Sequence, residues 1–280
     1  MALVNAAELV RDAARNSKVI VAFNVFNNES IDAVIRAAKD LHTPVIVSVN
    51  EQDLQHFGID EVVALARIKA DSSRADVVLH LDHGMSREVV AKCIRGGFTS
   101  VMFDTARYPK DQRVQVARTV VDFAHAAGVS VESMLGTLEL AIAGHGEGDS
   151  AEELTDPDEA GPYSRLTGID MLAVSVGTKH GSALIGERVV IDMVQLAAIA
   201  RNVEVPLVIH GGSAVDERQL RQLREMNVGK MNIGSAIRMA YRKALMRSLE
   251  DSQLDIRECN VNAEQAIYEA ALEKIRILTV

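Results

Sequence analysis

Eight short runs rich in β-branched and apolar residues, separated by longer amphipathic stretches, recur from one end of this 280-residue chain to the other. A strand covered on both faces is apolar almost throughout, and parallel neighbours need a crossover between them, usually a helix. The runs fall at residues 19–23, 44–49, 76–81, 99–103, 130–134, 171–176, 207–209 and 230–233. Helical periodicity covers residues 5–16, 30–40, 59–70, a stretch from Ser86 to Cys93, and 110–127. It resumes after Thr155-Asp156-Pro157, over 191–202, from Asp216, over 235–249 and over 263–277. The alternation predicts an α/β protein: one (β/α)8 barrel over residues 1–280, with an extra helix before the first strand and another at the carboxyl end. The rhythm breaks over residues 136–155, which carry Gly144, Gly146, Gly148 and several acids, and a mobile active-site loop is expected there.

Composition narrows the partners. With 30 Lys and Arg against 39 Asp and Glu the net charge is −9, so no nucleic-acid partner is expected. Arg238, Arg242, Lys243 and Arg247 follow helical spacing and read as a solvated helix face. Cys93 and Cys259 form no metal or redox pattern and suit a reducing cytosol. The amino end combines early charges with helical periodicity, unlike a signal peptide or a membrane span. The expectation is a cytoplasmic protein with a small-molecule partner and no membrane association.

Polar residues stand at the carboxyl ends of the predicted strands, where barrel enzymes carry their chemistry: Asn24, Asp82, His83, Asp104, Glu132, His180, His210 and Asn232. Val78-Leu79-His80-Leu81-Asp82-His83-Gly84 sets a carboxylate beside an imidazole. Two later strands also end in histidine followed by glycine, at His180-Gly181 and His210-Gly211. A single strand-end histidine is ordinarily a hydrogen-bonded imidazole. Three from separate strands would make an open zinc site, with Asp82 as the acid or base beside it. His80 reads as a core histidine, His42 and His125 as helical or helix-end residues, His56 as part of a polar loop and His145 as part of the mobile loop. Gly211-Gly212-Ser213 and Asn232-Ile233-Gly234-Ser235 end consecutive strands, where backbone N–H groups can close round a phosphate.

These stretches resemble the class II, zinc-dependent ketose-bisphosphate aldolases, in the fructose- and tagatose-bisphosphate branch. The likeness extends to Ala22-Phe-Asn-Val-Phe-Asn27, Val121-Asp-Phe-Ala-His125, Leu154-Thr-Asp-Pro-Asp-Glu-Ala160 and Lys230-Met-Asn-Ile-Gly-Ser235. It implies one zinc per subunit on His83, His180 and His210, and allows a monovalent cation besides. Asp82 would transfer the proton, and Glu147 would be the loop glutamate acting at the donor carbon. Asn24, Gly181, Gly211, Gly212, Ser213, Asn232, Ile233, Gly234 and Ser235 would hold the dihydroxyacetone phosphate half. The implied reaction is reversible cleavage of a ketose 1-phosphate or 1,6-bisphosphate to dihydroxyacetone phosphate and an aldehyde, by a homodimer or homotetramer. Met134, Ala106 and Ala214 depart from the family pattern, as do Ser48 and Asn50, which bear on the far phosphate. A catalytically silent sugar-phosphate-binding barrel is the alternative, and a Schiff-base enzyme built on Lys230 is a weaker one.

Overall fold

The computed structural model describes residues 3–137, 154–179, 181, 186, 188–251 and 255–279. Its strands are β1 (Ile20–Asn24), β2 (Val45–Asn50), β3 (Val77–Gly84), β4 (Ser100–Phe103), β5 (Ser130–Leu135), β6 (Met171–Val174), β7 (Leu207–Ile209) and β8 (Val228–Ile233). All pair in parallel, in sequence order, and β8 returns to β1 to close the barrel. This is the (β/α)8 barrel that the alternation predicts.

Helices α2 (Asn28–Asp40), α4 (Ile59–Ser73), α5 (Arg87–Gly96), α6 (Lys110–Ala126), α7 (Pro157–Thr167), α8 (Met193–Asn202), α9 (Glu217–Gln222) and α10 (Ser235–Leu249) cross between strands or follow the last one. Local chemistry starts them where it should. Asn27 and Ser30 form a reciprocal capping box on α2, while Ser86, Asp156, Asp192 and Asp216 cap α5, α7, α8 and α9 with side-chain oxygens. Of the two additional helices, α1 (Ala6–Arg15) lies against the amino ends of β5 and β8, where Asn5 Nδ2 donates to the Gly128 carbonyl at 2.7 Å. The 24-residue α11 (Ile256–Thr279) packs on α2 and α10. It begins ahead of the 263 boundary expected from periodicity. A further helix, α3 (Glu51–Phe57), was not expected, so His56 lies on a helix and not in a loop. Asn50 opens it, accepting from the Asp53 amide at 2.8 Å. Among the described residues, no helix is long and apolar enough to cross a membrane.

Strand parity divides the interior in two. Odd positions such as Val21, Phe23, Val47, Leu79, Val101 and Val131 face the helices and form the larger apolar cluster. Even positions Ile20, Ala22, Ile46, Val78, Met102 and Met134 fill the barrel with Met171, Ala173 and Val208. In β1, β2 and β3, the inward positions nearer the carboxyl ends turn polar: Asn24, Ser48, His80 and Asp82.

Candidate active site

Asp82 and His83 are adjacent, and in a regular strand they would face opposite sides. The pairing of β3 with β4 shifts register between Leu81 and Gly84, and His83 adopts the left-handed conformation with φ +49°. A bulge of this kind re-aims a side chain. It lets both residues contribute to one site: one ligand atom from each of Asp82, His83 and His210 lies within 4.8 Å of the others. The rings of His83 and His210 meet edge to face, 5.0 Å between centroids.

Asp82 is 3 % exposed and held by two amides from opposite ends of the sequence. Asn24 Nδ2 donates to Oδ2 at 2.6 Å and Asn232 Nδ2 to Oδ1 at 3.2 Å. Burial alone would raise its carboxyl, but the positive charge available on His83, His210 and Lys230 outweighs that and holds it below the usual carboxylate range. His83 sets Nδ1 against Asp104 Oδ2 at 3.2 Å. Its burial is opposed by the Asp82 and Asp104 carboxylates, which push the imidazole up to about 9. Protonation and metal ligation are alternatives for that ring. His210 is lowered by burial despite its contact with Glu132.

Below this layer sit groups that the strand-end pattern alone did not bring together. Glu132 Oε1 is 2.8 Å from His210 Nε2, and Glu132 Oε2 accepts from Lys230 Nζ at 2.7 Å, all three side chains being buried. The signal was a lysine and a glutamate at inward positions of apolar strands, but 98 residues separate them. His80 is buried, with Nδ1 2.8 Å from Ser100 Oγ. Lys230 is engaged by a carboxylate, which leaves a Schiff-base role without support.

The glycine segments come together at the mouth. Gly211 has φ +72°, and an added Cβ would meet the Lys179 carbonyl oxygen at 2.8 Å, so the loop after β6 lies directly on the end of β7. A 3-10 turn over Gly212–Ala214 follows, and Ser213 Oγ accepts from the Ala236 amide at 3.1 Å, tying it to the first turn of α10. That turn has no acidic residue and no side-chain cap from Gly234. Gly181 is placed in a turn. His180, Glu147 and His145, with most of the expected mobile loop, lie outside the described residues.

The profile of the family described as fructose-bisphosphate aldolase class-II matches residues 4–280. Among solved structures, the chain is similar to the YdjI aldolase from Escherichia coli K12, with TM-score 0.85 and 26 % identity over 99 % of this chain and 97 % of that one. A protein provisionally described as a fructose-1,6-bisphosphate aldolase from Coccidioides immitis aligns with TM-score 0.85 and 28 % identity over 98 % and 96 % of the two chains. Fructose-bisphosphate aldolase from Campylobacter jejuni shares the fold, with TM-score 0.82 and 20 % identity over 99 % and 95 %.

Proposed function

Since the chain belongs to the class II fructose-bisphosphate aldolase family, we propose that it is a zinc-dependent lyase that reversibly cleaves a ketose 1-phosphate or 1,6-bisphosphate to dihydroxyacetone phosphate and an aldehyde. The observation that carries this reading is the convergence of Asp82, His83 and His210 within 4.8 Å at the carboxyl-terminal mouth of the barrel. Two imidazoles at that separation suit a zinc ion, with the Asp82 carboxylate beside it as the acid or base. His83 and His210 would hold it together with His180, whose neighbour Lys179 rests its backbone on Gly211. Bound zinc supplies Lewis acidity to the substrate carbonyl, worth several kcal/mol at the transition state.

The chain's own residues do the rest. Asp82 takes the proton from the hydroxyl on the fourth carbon during cleavage and returns it during condensation. Asn24 and Asn232 aim its two oxygens and keep them anionic. Asn232 Oδ1 is buried and has no hydrogen-bond partner among the described residues, which suits it to accept from a substrate hydroxyl. The backbone N–H groups of Gly212, Ser213 and Ser235, at a tight turn and at a helix start whose N-cap residue Gly234 has no side chain, suit the phosphate. Glu147 moves the proton on the donor carbon. The physiological form is a cytoplasmic homodimer or homotetramer.

Removing metal with a chelator is expected to abolish cleavage of fructose 1,6-bisphosphate or a ketose 1-phosphate, and zinc is expected to restore it. Turnover by protein shown by elemental analysis to be metal-free would overturn the proposal. Binding of dihydroxyacetone phosphate without proton exchange at its donor carbon would instead indicate a silent binder.

A further inference from the structure

The Lys230–Glu132 pair at the heart of the barrel has no part in the cleavage steps above. Two charges buried this deeply lose their hydration, and their attraction offsets that loss only where further hydrogen bonds satisfy them. Lys230 Nζ donates to Glu132 Oε2 at 2.7 Å, and the other carboxylate oxygen, Oε1, is 2.8 Å from His210 Nε2. On the far side of the same imidazole, Asn232 Nδ2 approaches His210 Nδ1 at 3.3 Å. His80 Nε2 is 3.7 Å from Glu132 Oε2, beyond hydrogen-bond reach, so it does not compete with Lys230.

An ionised carboxylate only accepts hydrogen bonds, and an amide NH2 only donates them. The two contacts on His210 therefore agree on a single state of the ring, with the proton on Nε2 and the lone pair on Nδ1. Turning the ring over would set a C–H against Glu132. Nδ1 is also the nitrogen 3.9 Å from Asp82 Oδ1, on the side of the cluster that includes His83.

We infer that Glu132 is a positioning residue that sets the tautomer and ring orientation of His210, presenting Nδ1 to the metal, and that Lys230 anchors the carboxylate through its second oxygen. The inference rests on the zinc reading of the site. Metal retention then depends on a hydrogen-bond acceptor at position 132, 78 residues from His210 in sequence, although Glu132 itself does not ligate. Partners of this kind are worth about 10- to 100-fold in metal affinity.

Two double variants isolate the acceptor from the charge. E132Q/K230M removes both charges but leaves an amide oxygen for His210, whereas E132L/K230M removes the charges and the acceptor. Competition against a chromophoric chelator is expected to show zinc affinity close to wild type for the first and about 10- to 100-fold weaker for the second. Equal affinities in the two would overturn the inference. In metal-free wild-type protein labelled with 15N-histidine, the His210 resonances, identified by their loss in H210A, are expected to show Nε2 protonated. A proton on Nδ1 would likewise overturn it, and this measurement decides the matter if E132L/K230M does not fold. Wild-type protein that binds no zinc would defeat the functional reading, while the 15N spectrum would still report which tautomer Glu132 selects.

Discussion

His83 occupies a backbone conformation in which side chains are uncommon, at φ +49°. Such strain persists only where the surroundings hold it. Here it sends two consecutive side chains into one cluster, which strict alternation forbids. Asp82 itself stays in register opposite Asn50 of β2 and takes its hydrogen bonds from Asn24 and Asn232. D82N keeps the side-chain volume but sets its NH2 against one of the two amide donors, and it removes the proton acceptor. Its kcat for cleavage is expected to fall about 10²- to 10⁴-fold, with zinc content by elemental analysis unchanged. Full activity in D82N would move the proton transfer to another residue. That Asp82, His83 and His210 gather was legible because each ends an apolar run. The site's geometry was not, since a bulge depends on the pairing of β3 with β4 and leaves only Gly84 as a local mark. The Glu132–Lys230 contact was hidden for a related reason: periodicity reports which way a side chain faces, never which inward neighbour it meets across 98 residues.

Among the elements, the strands were the easiest to locate, because a strand covered by helices on one side and side chains on the other is apolar at nearly every position. The short α3 was missed because Glu51-Gln52-Asp53-Leu54-Gln55-His56-Phe57 buries only Leu54 and so shows no apolar stripe. Its one clear signal was the cap at Asn50. By contrast α7 is readable from Asp156-Pro157, and the structure shows what pins it. The Tyr163 hydroxyl lies 2.8 Å from Ser133 Oγ on β5 and 3.3 Å from Thr105 Oγ1 after β4. Y163F would leave both buried hydroxyls without that partner. Its stability in urea is expected to drop by about 1–3 kcal/mol, with the helix in place by circular dichroism. An unchanged unfolding midpoint would mean that Ser133, which also donates to the Phe103 carbonyl, is sufficient alone.

The whole molecule carries polar and charged groups in its interior, and this shapes its response to acid. His80 is buried, and burial, reinforced by the Lys230 ammonium, lowers its imidazole from 6.5 to about 3. Below pH 6.5 the unfolded chain takes up a proton there that the folded chain refuses until about pH 3. The unfolded state thus binds more protons across that window. The contribution to stability is complete above pH 6.5 and is lost as pH falls toward 3, at up to about 1.4 kcal/mol per pH unit. In H80N, whose amide can still reach Ser100, the acid limb of urea-derived stability against pH is expected to flatten across this interval. A limb as steep as that of wild type would place the acid sensitivity elsewhere.

One amide comes to Asp82 from the first strand and one from the last, 208 residues apart by the numbering of Asn24 and Asn232. The Asp82 carboxylate therefore rests on the seam where β1 and β8 join, the final pairing that makes the sheet a cylinder. Neither half of the polypeptide owns the aspartate's environment, so with the proton transfer proposed for Asp82, turnover would double as a gauge of ring completion. Chains cut or re-ended elsewhere should recover catalysis only to the extent that this seam zips shut.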